Sequence, residues 1–74
     1  MGWEEVFEKE TWLDRLKKEY VEMSGKLSRL EAFMETRGFK NLPVEDRVDL
    51  SIQCAVMTQY VDILNRRLKR HGGL

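Results

Sequence analysis

Two apolar stripes of heptad spacing, one in each half of the 74-residue chain, restrict this sequence to helices that pack on one another. Leu13, Leu16, Tyr20, Met23, Leu27, Leu30 and Met34 recur at alternating steps of three and four, which lines them along one side of an α-helix. Leu50, Cys54, Met57, Val61, Leu64 and Leu68 step by four and three in the second half. A seam of this kind is covered by another like it. The spacing therefore predicts an all-α fold: a two-helix antiparallel hairpin assembling into a helical oligomer.

Val6, Phe7 and Trp12 extend the first apolar surface toward the N-terminus and Phe33 widens its other end, so helix one is expected over about 3–37. At 1.5 Å per residue it would span roughly 50 Å. Ser24-Gly25 is its weakest point, because glycine costs about 1 kcal/mol relative to alanine inside a helix, and a bend or a close helix approach is expected there. Gly38 is expected to end the helix in a left-handed conformation, with Phe39 folding back on the last apolar positions. Pro43 suits the first turn of helix two, over about 43–70, and Glu45 and Asp46 suit the positive end of its dipole. Arg66, Arg67, Lys69 and Arg70 complement the negative end, and His71-Gly72-Gly73-Leu74 is expected to fray. Residues 1–74 form one domain on this reading.

Helix two carries a second apolar line, Ile52, Val56 and Ile63 with Val48 nearby, about 140° from the first at 100° per residue. One partner helix cannot cover both. Ser51, Thr58, Asp62, Asn65 and Lys69 fill the polar arc that faces water, so the second line is expected to meet another subunit. A chain this short has little core of its own, which favours the same outcome.

Lys+Arg and Asp+Glu number thirteen each, which argues against binding to long nucleic acid or an anionic membrane, since both require a basic excess. The halves differ mildly: residues 1–37 hold nine acids and seven bases, residues 38–74 four and six. The lone Cys54 cannot form an internal disulfide, and a reducing, cytoplasmic setting is the expectation. The N-terminus lacks the pattern of a signal peptide, no stretch approaches a membrane span, and Val6 stands where a myristoylation motif wants Ser or Thr.

Between the two lines on helix two, at sevenfold spacing, stand Gln53, Tyr60 and Arg67. Polar groups removed from water need partners, at about 1–3 kcal/mol each when unpaired. Two readings fit. The three side chains bond across a subunit interface or to the facing helix and fix its register. Otherwise they line a cleft where Tyr60 stacks on a base, Gln53 bonds its edge and Arg67, helped by Arg66, pairs with phosphate. Trp3 and Trp12 read as core or oligomer contacts rather than stacking platforms. Cys54 reads as an inert seam thiol, and His71 has no companion for metal or acid–base work. No phosphate loop, metal-ligand motif or nucleophile signature is present, so neither catalysis, a metal nor a cofactor is expected.

The string Lys26-Leu27-Ser28-Arg29-Leu30-Glu31-Ala32-Phe33, followed by Phe39, Leu42, Pro43 and Asp46-Arg47, then by Leu50, Gln53, Met57, Tyr60, Ile63-Leu64 and Arg67-Leu68, resembles a widespread group of small phage proteins named after a protein of crAss-like phage. The resemblance covers roughly Leu13 to Leu68. In size and architecture the chain is also similar to phage anti-CBASS and anti-Thoeris sponges, compact helical proteins that oligomerise and sequester nucleotide signals without cleaving them. The likeness implies a sponge for a cyclic or ADP-ribose-derived nucleotide, with Gln53, Tyr60, Arg66 and Arg67 as ligand-binding candidates. The alternative is a structural or inhibitory module that binds a host or phage protein through its exposed apolar seam.

Overall fold

The computed structural model describes residues 11–73, which are helical and contain no strand. Three helices follow in order: α1, Trp12–Met34; α2, Arg37–Lys40; and α3, Val44–Arg70. The part of the first expected helix that precedes Thr11 lies outside the described residues, as does Trp3.

Helix α1 begins at Trp12, where Thr11 and Asp14 close a capping box. The Asp14 amide donates to Thr11 Oγ1 at 3.2 Å and the Thr11 amide donates back to Asp14 Oδ2 at 3.3 Å. The pair satisfies amides that the first turn leaves without an intrahelical acceptor. The helix runs unbroken through Ser24-Gly25, and a Cβ at Gly25 would meet only the flexible Arg29 side chain, at 3.5 Å. No other helix comes close to that position, so the expected close approach is absent.

The joint differs from the expected one. Gly38 has no positive φ and lies inside α2. Helix α1 stops at Met34, three residues earlier than expected, because Thr36 takes over: its hydroxyl donates to the Phe33 carbonyl at 2.6 Å and accepts from the Phe39 amide at 3.3 Å. That one side chain ends α1 and caps α2. Phe33 and Phe39 meet edge to face at 6.0 Å. Pro43 stands just before α3, in extended conformation, rather than within its first turn. Arg47 Nε donates back to the Leu42 carbonyl at 3.1 Å and ties the new helix to the joint.

The left-handed glycine is at the other end. Gly72 has φ +69°, its amide donates to Lys69 O, and the Gly73 amide donates to Leu68 O at 2.7 Å. These two bonds form a Schellman closure of α3, at the segment where fraying is expected; Leu74 lies outside the described residues.

The core is confined to one end. Among the described residues, Leu16, Leu64 and Leu68 are the buried side chains, with Leu13, Tyr20, Met23 and Tyr60 packed around them. The start of α1 thus packs on the last turns of α3, where Trp12 meets His71 and Leu13 approaches Gly73. The remaining seam residues, Leu27, Leu30, Met34, Leu50, Cys54, Met57 and Val61, are half-buried. Val44, Val48, Ile52, Val56 and Ile63 stay exposed on α3.

Candidate functional site

Helix α3 carries the candidate chemistry between Gln53 and Arg67. The helix has acids in its first turn, Glu45 and Asp46, and Arg67, Lys69 and Arg70 in its last. Each end therefore offsets the partial charge of the helix dipole.

Gln53 is exposed, and its Nε2 lies 3.8 Å from the Met57 sulfur on its own helix, a weak contact that leaves the amide available. Tyr60 is half-buried and packs against the Leu16, Leu64 and Leu68 cluster, so one part of the phenol is fixed by the core while the rest reaches the surface. Arg66 and Arg67 are exposed. The three members of the polar line stand seven residues apart, two turns or about 10 Å along the axis at each step. Within a single chain they span about 20 Å, so amide, ring and guanidinium do not converge on one small group.

Surface grooves open at two places among the described residues. One, of ≈ 320 Å³, is lined by Lys17, Lys18, Val21 and Glu22. The other, of ≈ 360 Å³, is lined by Phe39, Val44, Arg47, Val48, Ser51 and Ile52 and continues into the exposed apolar face of α3. Neither includes Gln53, Tyr60, Arg66 or Arg67.

Sequence reasoning missed an aromatic pair beside this line. Trp12, half exposed, meets His71 edge to face with ring centroids 4.7 Å apart. His71 lies one turn beyond Arg67, and both rings are held by closed helix ends, the Thr11 capping box and the Gly72–Gly73 closure. The signal was the registry of the two seams, which sets the first turn of α1 against the last turn of α3. Among the described residues no group of His, Cys, Asp or Glu is arranged to hold a metal ion, and no helix is long and apolar enough to cross a membrane.

No curated protein and no solved structure matches this chain. The family model of Sequestin matches residues 10–70, from the capping box of α1 to the last residue of α3. With that match extending over all three helices, the chain belongs to the Sequestin family.

Proposed function

We propose that this protein is a phage immune-evasion sponge that binds and sequesters a nucleotide-type signalling molecule without cleaving it. On this reading it acts as a homo-oligomer of antiparallel helical hairpins in the cytoplasm of an infected host cell. The observation that carries the reading is membership of a family named for sequestration. The side chains suit it: a phenol anchored on the core, a free amide and exposed guanidiniums match a base face, a base edge and a phosphate. Sequestration needs affinity and abundance only, and nothing in the sequence supplies a catalytic constellation.

The test is a panel of cyclic and ADP-ribose-derived nucleotides screened by melting temperature, since a ligand at 100 times its Kd adds about 2.7 kcal/mol of stability. The nucleotide that raises the melting temperature should be recovered intact after heat denaturation. Product formation proportional to protein concentration would overturn the non-enzymatic reading. Arg67→Glu should abolish the shift by reversing a charge beside phosphate while circular dichroism stays unchanged. The exposed apolar face of α3 favours a second reading, a module that binds a host or phage protein. A panel without any shift, together with stoichiometric capture of a protein partner, would establish that reading instead.

A further inference from the structure

Val48, Ile52 and Val56 form an i, i+4 row on α3 that Ile63 continues, and each is between 43% and 59% exposed. The row is flanked by acids at one end, Glu45 and Asp49, and by Arg66, Arg67 and Arg70 at the other. An exposed apolar row with opposite charges at its two ends is complementary to itself only when reversed. A second α3 laid antiparallel sets acids against arginines at both ends, whereas a parallel one sets like charges together along the whole contact.

We propose that two copies of this chain pair through α3 in antiparallel orientation, about a two-fold axis at Val56, the midpoint of the exposed row. In that register Val56 meets the partner's Val56, Ile52 meets the partner's Tyr60, and Glu45 falls among the partner's Arg66, Arg67 and Arg70. Arg67 then lies opposite Glu45, with Arg66 and Arg70 on either side of it.

The pairing also resolves the spacing of the polar line. Gln53 and Tyr60 of one chain stand two turns apart, but the partner's Gln53 falls within one turn of Tyr60. Amide and ring then come together only in the dimer, two turns from Arg67. This last step rests on the nucleotide-binding reading; the pairing itself rests on the apolar row and its charges.

Cysteine cross-linking in a Cys54→Ser background tests the orientation, since a disulfide needs Cα atoms within about 7 Å of each other. Val56→Cys should oxidise predominantly to covalent dimer, while Val48→Cys should remain uncross-linked. Cross-linking at both positions means parallel pairing, and at neither means no α3 interface; each overturns the proposal. A charge-swap series is independent of thiol chemistry. Glu45→Arg with Asp49→Arg should weaken dimerisation by about tenfold through new like-charge contacts, and adding Arg66→Glu with Arg70→Glu should restore it. Failure of the rescue overturns the antiparallel register. A correctly cross-linked dimer without a melting shift for any nucleotide leaves the pairing standing and sinks the ligand reading. A nucleotide-binding protein that cross-links at neither position does the reverse.

Discussion

Gly72 holds φ +69° and Gly73 sits so close to the Leu68 side chain and carbonyl that a Cβ there would come within 2.9 Å and 3.3 Å of them. Gly38 has an ordinary φ, and a Cβ on it would make van der Waals contacts at 3.5 Å or more. Alanine should therefore discriminate between them. Gly72→Ala should lower stability by about 1 kcal/mol, from the left-handed strain, whereas Gly38→Ala should be neutral or stabilising by about 0.5 kcal/mol. Urea unfolding of the two variants checks this, and equal losses would mean that Gly38 also carries a special backbone conformation. A third residue invites replacement: Ser24 Oγ is buried with no hydrogen-bond partner among the described residues. Ser24→Ala removes that orphan group and improves helix propensity, so its unfolding midpoint should rise, by the equivalent of about 1 kcal/mol.

At the scale of the element, the helices follow from two things of different legibility. Their faces were readable from spacing: every member of the two seams is buried or half-buried, and Val48, Ile52, Val56 and Ile63 are exposed. Periodicity reports what a helix buries once it exists, and it is blind to where the helix stops. The boundaries were set by short polar bonds. Thr11-x-x-Asp14 is a capping-box pattern visible in the sequence, but Val6 and Phe7 upstream suggested a continuous stripe across it. Thr36 and Gly38 competed for the joint, and the hydroxyl prevailed because it serves two backbone groups at once. The polar line of α3 was legible as a line; the separation of its members by two turns each, and the Trp12–His71 pair beside it, required the fold. Thr11→Ala should cost about 1 kcal/mol and fray the first turn of α1. Hydrogen exchange should then accelerate in that turn and leave the middle of α1 unaffected; uniform acceleration would show that the cap does not act locally.

At the scale of the molecule, the described residues include three buried apolar side chains and a larger set of exposed ones, an imbalance that burial against another protein surface would correct. On the proposed self-association, Val56→Asp with Ile63→Asp should leave only monomer in light scattering while most far-UV helicity survives, because the Leu16, Leu64 and Leu68 cluster is untouched. A wild-type protein that is already a stable monomer at micromolar concentration would remove the basis for this. Leu64→Ala, in contrast, should cost about 2–5 kcal/mol and unfold much of the chain, since Leu64 is fully buried in the only such cluster among the described residues.

The position of that cluster also bears on what folding has to close. Leu16 and Leu68 lie near opposite ends of the described chain, so their meeting closes a loop that contains both long helices and the Phe33–Phe39 joint. The joint has no buried residue to start a zipper, so the entropy of closing the large loop falls before the contacts that reward it form. Lengthening the joint between Asn41 and Leu42 by a few residues should then barely change the folding rate, because closure entropy grows only with the logarithm of loop length.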